Sequence, residues 1–161
     1  MLLTGCLAQW ENPYFVVTPS GLNWLIVSQQ YTSGRLAGHH VKLQINGDGI
    51  VTITEGTSQL VRNSFAHNAQ SDKWEDIREH RQKITEEEAA SIYQSLVSNG
   101  LFDQSLFKGK LATNETSSIY VSARIQNTST GTPRLVTDPE LLESLKMTIM
   151  TFYTPRPARL R

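Results

Sequence analysis

The chain lacks the features that mark membrane-spanning, disulfide-rich and nucleic-acid-binding proteins. Its 161 residues include a single cysteine, which excludes an intrachain disulfide. No apolar run approaches the roughly 18 residues that a transmembrane helix requires. Fifteen Lys and Arg balance fifteen Asp and Glu, so no net field attracts nucleic acid or an acidic membrane surface. These absences favour one globular domain that does not bind nucleic acid.

The sequence also lacks the motifs that assemble an active site or a cofactor site. There is no Gly-x-Ser-x-Gly elbow and no glycine-rich phosphate loop before a helix. Asn46-Gly-Asp-Gly49 is similar to the start of a calcium loop, but Ile50-Val-Thr52 continues as a strand instead of supplying further ligands. Glu86, Glu87 and Glu88 are adjacent carboxylates, and a place at a helix start accounts for them without chemistry. We therefore predict no catalytic residue and no cofactor.

Four histidines raise the question of a metal site. His39 and His40 are adjacent, so in a strand they point to opposite faces and do not ligate one ion together. Asp76 and His80 would share one face of a helix, but two ligands do not make a site. His67 stands alone. We interpret the histidines as solvent-exposed or loop residues and predict no metal site.

One helix is defined at both ends by its sequence. Thr85 and Glu88 fit a capping box at its start, and Gly100 followed by Leu101 fits a Schellman closure at its end. Between these ends, apolar residues recur at the spacing of one buried helix face. They are Ala89, Ile92, Tyr93, Leu96, Val97 and Leu101. We expect this face to pack on a sheet.

Strand signals lie on both sides of this helix. Val41-Lys-Leu-Gln-Ile45 and Ile50-Val-Thr-Ile-Thr54 alternate apolar and polar residues around Asn46-Gly-Asp-Gly49, which predicts a hairpin. Further strands are predicted at residues 22–31, 59–62, 118–125 and 134–137. The charged segment 72–83 is interpreted as a solvated connection that forms a strand or a helical turn.

A second amphipathic helix completes the predicted fold. Asp138 caps it with Pro139 at its first position, and Pro155 ends it. Its apolar face carries Leu141, Leu142, Leu145, Ile149, Phe152 and Tyr153. The predicted fold class is α+β, an antiparallel sheet of about four to six strands covered on one face by the two amphipathic helices. The predicted organisation is a truncated signal, lipobox and tether at residues 1–21, a single α+β domain at 22–154, and a basic tail at 155–161.

The single cysteine lies in a recognisable context. Leu3-Thr-Gly-Cys6 resembles the lipobox of bacterial lipoproteins, in which cleavage before the cysteine leaves it lipid-modified at the new N-terminus. A signal peptide needs a basic region and about 7–15 apolar residues, but only Met1-Leu-Leu3 precedes Thr4-Gly-Cys6. We therefore interpret the signal as truncated, with Met1 either an internal start inside a longer signal or the first residue of a truncated sequence. The resemblance implies lipidation of Cys6, a lipid anchor as the membrane contact, and a place in the bacterial cell envelope facing the periplasm or the exterior. The alternative is an idle or buried thiol.

The order of elements carries a second resemblance. A strand leads into Ser33-Gly-Arg-Leu-Ala-Gly38, and a hairpin, a Thr-Glu-Glu-Glu-Ala helix and another strand follow. Over about residues 23–126 this layout is similar to that of emfourin-type bacterial protease inhibitors. The family's Gly-Gly-Phe-Ala-Gly-like signature is replaced here, so no binding residue is carried over. The resemblance implies a secreted inhibitor or a similar regulatory binder, which would not require lipidation.

The favoured function is a non-catalytic cell-envelope lipoprotein domain that binds or supports another envelope protein or peptide. The secreted binder is one alternative, and an unrecognised hydrolase is another, because catalytic groups can converge without a motif. A cleft where histidine, carboxylate and hydroxyl side chains converge would indicate the hydrolase. Exposed apolar patches without such a cleft would indicate a binding domain.

The lipobox-like motif makes a direct prediction about the mature protein. Expressed in cells from its full coding sequence, the chain is expected to begin at a diacylglyceryl-modified Cys6, because cleavage occurs directly before a lipobox cysteine. Mass spectrometry of the intact protein and of its N-terminal peptide measures this, with Cys6→Ser as the control that has no thiol for the lipid. A mature chain that retains an unmodified Met1 would contradict the prediction.

Overall fold

The computed structural model describes residues 16–57, 75–103 and 115–154. In these ranges the chain forms seven strands and two α-helices. The strands are β1 (Trp24–Tyr31), β2 (His39–Asn46), β3 (Ile50–Thr57), β4 (Glu75–Lys83), β5 (Ser117–Ile125), β6 (Thr128–Ser129) and β7 (Arg134–Leu135). The helices are α1 (Glu86–Ser98) and α2 (Pro139–Phe152), and a 3-10 turn at Gly34–Leu36 lies between β1 and β2.

The seven strands form one antiparallel sheet. Its order is β4-β3-β2-β1-β5-β6, and β7 also pairs with β5. The predicted α+β class with an antiparallel sheet is confirmed, but the sheet has seven strands among the described residues, more than the four to six predicted. The charged segment forms the nine-residue β4, and the region after β5 contributes two strands of two residues each. The strand predicted at 59–62 lies outside the described residues.

Alternating residues of the four long central strands form one buried aliphatic surface, here called the inner face. It consists of Leu25 and Val27 of β1, Val41, Leu43 and Ile45 of β2, Val51 and Ile53 of β3, and Ile119, Val121, Ala123 and Ile125 of β5. Continuing the same alternation, the inner face becomes polar at one end, at Gln29, His39 and Glu55. The amide of Gln29 is buried there and donates to the Ser117 hydroxyl at 2.9 Å.

The predicted hairpin between β2 and β3 is confirmed. Ile45 pairs with Val51, and the Gly49 N–H donates to the Asn46 carbonyl at 2.9 Å. Gly49 has a φ of +86°, which a side chain rarely tolerates. A Cβ at Gly49 would lie 2.1 Å from the carbonyl oxygen of Ile84, and one at Gly47 would lie 1.7 Å from that of Ser20. Both positions therefore require glycine because another backbone segment lies too close for a Cβ atom, in addition to any requirement of the turn itself.

Helix α1 has the ends that its sequence predicts. The Thr85 hydroxyl accepts the Glu88 N–H at 3.0 Å, and the Glu88 carboxylate accepts the Thr85 N–H at 2.7 Å. At the other end the Leu101 N–H donates to the Leu96 carbonyl at 3.0 Å, and Gly100 adopts a φ of +93°. The capping box and the Schellman closure are thus both confirmed.

Helix α1 buries the apolar side that its periodicity indicates. Ala89, Ala90, Tyr93 and Leu96 are buried, and Ile92 and Val97 pack against the core while staying partly exposed. The Tyr93 hydroxyl donates to the Ile45 carbonyl of β2 at 2.9 Å. Burial raises the pKa of Tyr93, so its hydroxyl stays protonated and keeps this donor. A side-chain hydrogen bond therefore ties α1 directly to the sheet.

Helix α2 also begins as predicted. The Asp138 carboxylate accepts the Leu141 N–H at 3.0 Å, and Pro139 occupies the first helical position. Its buried residues are Leu141, Leu142, Leu145 and Ile149, which belong to the same core cluster as the inner face. The Asn99 amide at the end of α1 donates to the Ser144 hydroxyl of α2 at 2.8 Å.

The segment that precedes β1 contacts the domain. Val17 is 6% exposed and belongs to the core, and its N–H donates to the side-chain oxygen of Gln94 in α1 at 2.7 Å. The Asn23 carboxamide bridges the Thr18 carbonyl at 3.2 Å and the Gln126 N–H at 2.7 Å. The domain boundary at residue 22 stays a prediction, and residues 1–15 and 155–161 lie outside the described ranges.

Truncation of Leu96 tests the packing of α1. Leu96 is 1% exposed, so Leu96→Ala is expected to lower the free energy of unfolding by about 2–5 kcal/mol through lost burial and a residual cavity. Denaturant unfolding measures the change. The matched control is Leu22→Ala, because Leu22 is 80% exposed and its truncation leaves no cavity. A loss below about 0.5 kcal/mol at Leu96 would refute the packing of α1.

Candidate functional site

An open groove of about 970 Å³ lies over the polar end of the inner face. Strands β3 and β4 form its floor, and the 3-10 turn and the end of α2 form its sides. The lining side chains include Arg35, His39, Glu55, Arg78, His80 and Tyr153. A smaller hollow of about 330 Å³ lies between α1 and α2, and its lining contains one ionisable residue, Glu143. The larger groove holds the titratable side chains and is the candidate site.

Glu55 is the centre of the groove. It follows Val51 and Ile53 on the inner face of β3, and its side chain is 15% exposed. The Tyr153 hydroxyl donates a hydrogen bond to its Oε2. His39 Nε2 lies 3.8 Å from Oε2, and His80 Nε2 lies 3.7 Å from Oε1. The carboxylate is thus surrounded by one phenol and two imidazoles.

The hydrogen bonds fix the proton positions around Tyr153. Its single hydroxyl proton is directed at Glu55, so its oxygen accepts the Nε2–H of His39 across 3.1 Å. This network assigns the proton of the neutral His39 ring to Nε2. The His39 and Tyr153 rings are stacked, with centroids 6.4 Å apart and planes 15° apart. The three side chains form a hydrogen-bond network in which His39 donates to Tyr153 and Tyr153 donates to the Glu55 carboxylate.

Burial determines the protonation states of His39 and Tyr153. It lowers the pKa of His39, and the Glu55 charge opposes that shift without cancelling it. Burial, the hydrogen bond to Glu55 and the charge of Glu55 raise the pKa of Tyr153, against a smaller opposing effect of the Arg78 cation. The Tyr153 phenol is therefore a persistent donor and a poor base, and His39 is a neutral ring near pH 7.

A β-bulge shapes the opposite wall. Thr57 pairs with Glu75, and Glu55 pairs with Arg78. Two residues of β4, Asp76 and Ile77, therefore lie opposite the single residue Gly56 of β3. Asp76 has a φ of +52°, an uncommon conformation for a residue with a side chain. The bulge brings Asp76 to the groove lining together with Arg78.

The groove is not neutralised by internal ion pairs. Arg81 pairs with Glu79 at 2.9 Å on the exposed surface of β4. Among the described residues, neither Arg35 nor Arg78 lies within 4.0 Å of a carboxylate, and Glu55 has no Lys or Arg at that distance. The lining therefore presents both signs of charge to a ligand.

His39 and His40 differ from their prediction, whereas His80 is solvent-exposed as predicted. His39 and His40 lie on β2, not in a loop, and His40 is completely buried, so their interpretation as solvent-exposed or loop residues is wrong. They fall on opposite faces of the strand, as expected. Asp76 and His80 lie on the strand β4 rather than on a helix, and the His80 side chain is 59% exposed. Burial comes from pairing β2 in the middle of the sheet, which its sequence alone does not indicate.

The remaining predicted positions have mixed outcomes. Asn46–Gly49 forms the hairpin turn, and Glu86–Glu88 lie in the first turn of α1. Cys6 and His67 lie outside the described residues. Within residues 16–57, 75–103 and 115–154, no three His, Cys, Asp or Glu side chains form a group that could hold a metal ion.

Glu55 and Tyr153 were not predicted as site residues. The sequence predicts Tyr153 on the apolar face of the second helix, whereas its hydroxyl donates to Glu55, 98 residues away in the sequence. One signal for Glu55 was present in the sequence. A carboxylate at the third inward position of an alternating strand, after Val51 and Ile53, is an unusual choice for a core position.

The comparisons leave the family open. Neither a scan against protein-family models nor a search of curated proteins finds a match to this chain. The groove is consequently interpreted from its geometry and its chemistry alone.

The buried His40 gives a prediction for acidic pH. Burial, and secondarily the charge of His39, lowers the pKa of His40 to about 4 from 6.5. Because the unfolded chain binds this proton more readily, the contribution of His40 to stability is complete above pH 6.5 and is lost progressively as the pH falls toward 4, by roughly 3 kcal/mol in total. NMR titration of the His40 ring, assigned with His40→Asn, should give a midpoint near 4. A midpoint near 6.5 would contradict the burial.

Proposed function

We propose that this chain is a non-catalytic cell-envelope domain that binds or supports another envelope protein or peptide, anchored by lipid at Cys6. The observation that carries the binding function is the groove beside β4, where a polar, incompletely neutralised lining meets an exposed edge strand. Binding sites commonly combine a concave surface with a few polar groups that orient the ligand. The anchor rests on the Leu3–Cys6 motif.

The edge of β4 offers a way to hold an extended peptide. All nine of its residues are exposed, and among the described residues it has one neighbour in the sheet, β3. A peptide that pairs with the free edge would gain backbone hydrogen bonds. Its alternate side chains would lie on the groove side of the sheet, next to Arg78, His80 and Gln82. Because β4 is highly charged, binding at this edge would depend on sequence and would not recruit every exposed strand.

The proposal includes the arrangement of the helices. Both helices are proposed to cover the inner face of the sheet and to leave β4 beyond their reach. The hydrogen bond from Tyr93 to Ile45 and the shared core cluster support this arrangement. The complete exposure of β4 supports it as well, because a covered strand would alternate between buried and exposed residues.

In this proposal the lipid on Cys6 is the contact with the membrane. In the part of the chain that the structure describes, we find no helix with the length and apolar character needed to cross a membrane. A secreted regulatory binder, such as a protease inhibitor, is the alternative that needs no anchor. It would use the same groove, whose rim includes Arg35, Leu36 and Ala37 of the segment between β1 and β2.

The convergence of His39, Glu55 and Tyr153 favours a second candidate, a hydrolase. A cleft with histidine, carboxylate and hydroxyl groups is the arrangement expected of one. The proton positions favour binding instead, because the Tyr153 proton is directed at Glu55 and the His39 Nε2 proton is directed at Tyr153. The Tyr153 hydroxyl and the Nε2 of His39 therefore act as donors in this network, and neither atom serves as a general base there. Ester or peptide hydrolysis that Glu55→Gln abolishes would favour the hydrolase.

Photo-crosslinking in cells tests the proposed binding surface. A photoreactive amino acid in place of Gln82, which lines the groove from β4, is expected to crosslink one envelope protein or peptide. The control position is Met150 of α2, which is 60% exposed and does not line the groove. Mass spectrometry identifies the product. Equal crosslinking at both positions, or no product at Gln82, would contradict a partner in the groove.

A further inference from the structure

We propose that Glu55 anchors a subsite for an organic cation, an ammonium or guanidinium group carried by a lysine or arginine side chain of the partner. This inference rests on the proposed binding function and names the chemistry that the groove recognises.

Among the described residues, no Lys or Arg lies within 4.0 Å of the Glu55 carboxylate. Its side chain is 15% exposed, and its carboxylate accepts a hydrogen bond from the Tyr153 hydroxyl and lies within 4.0 Å of the His39 and His80 rings. Lys146 and Glu115 show the usual arrangement in this protein, since their side chains are 24% and 23% exposed and join at 3.1 Å. A carboxylate taken from water without a cation is costly, and a bound cation offsets that cost. Glu55 is therefore suited to receive one.

The surroundings of Glu55 fit an organic cation. The carboxylate opens into a groove of about 970 Å³, which is large enough for a lysine or arginine side chain. The stacked rings of His39 and Tyr153 lie beside it. Tyrosine is a ring type that attracts ammonium and guanidinium groups. Carboxylate and aromatic ring together favour such a group over a neutral side chain.

Arg78 is the internal competitor for this subsite. It is the direct cross-strand partner of Glu55, on the same side of the sheet, yet no ion pair joins them within 4.0 Å. Its charge still acts at short range, because it opposes the rise in the pKa of Tyr153. A ligand cation would have to enter against this repulsion. Removal of Arg78 and removal of Glu55 should therefore change the affinity in opposite directions.

Titration with small probes tests the subsite without the natural partner. The probes are N-acetyl-arginine amide and N-acetyl-lysine amide, with N-acetyl-norleucine amide as the uncharged control, and amide NMR shifts report binding in the presence of EDTA. Both cationic probes are expected to shift the groove resonances, and the norleucine probe is not. Glu55→Gln should weaken the binding of the cationic probes about tenfold or more, the effect of losing a charge-assisted contact. The matched control Glu87→Gln, in an exposed turn of α1, should leave it unchanged.

The variant Arg78→Gln gives a second, independent test of the subsite. Arg78 is exposed, so this variant is expected to fold even if Glu55→Gln does not, and it should strengthen cation binding roughly two- to fivefold. Weaker cation binding in Arg78→Gln, or equal binding of the norleucine probe, would overturn the subsite. Crosslinks at Gln82 that persist while no cationic probe binds would also overturn it and would leave the proposed binding function intact.

Discussion

The register between β2 and β3 determines where both the core and the groove lie. Side chains alternate along a strand, so a slip of one residue would move Val51, Ile53 and Glu55 together to the other face of the sheet. The turn prevents this slip, because Gly47 and Gly49 approach the backbones of Ser20 and Ile84 more closely than any side chain allows. The positions of the aliphatic core and of the partly buried Glu55 carboxylate both follow from this one turn.

Local signals predicted the elements whose ends depend on neighbouring residues. The capping box of Thr85 and Glu88, the closure at Gly100 and the cap at Asp138 each need only a few adjacent residues, and each is present. Strand β4 was harder to predict. It has no apolar alternation, because all its residues are exposed, and its strand conformation depends on pairing with β3, which the local sequence does not encode.

The candidate site was less accessible to prediction for a related reason. His39, Glu55 and Tyr153 come from two strands and the end of a helix, and Tyr153 lies 98 residues from Glu55 in the sequence. Alternation along β3 could have identified Glu55 as an inward carboxylate, and the same reasoning applies to His39 before Val41. No pattern in the sequence pairs either residue with Tyr153, since that contact depends on how α2 packs. Polar groups on an otherwise aliphatic face are the general signal.

The segment before β1 has a mechanical consequence. The Val17 N–H is held by Gln94 of α1, and the Val16 carbonyl and the Thr18 hydroxyl accept from the Gln126 amide after β5. A pulling force applied to the chain at residue 16 is thus transmitted to α1 and to the turn after β5 before it reaches β1. Tension from the N-terminal side would break these three hydrogen bonds first. The β2–β3 register and the groove would then stay undistorted.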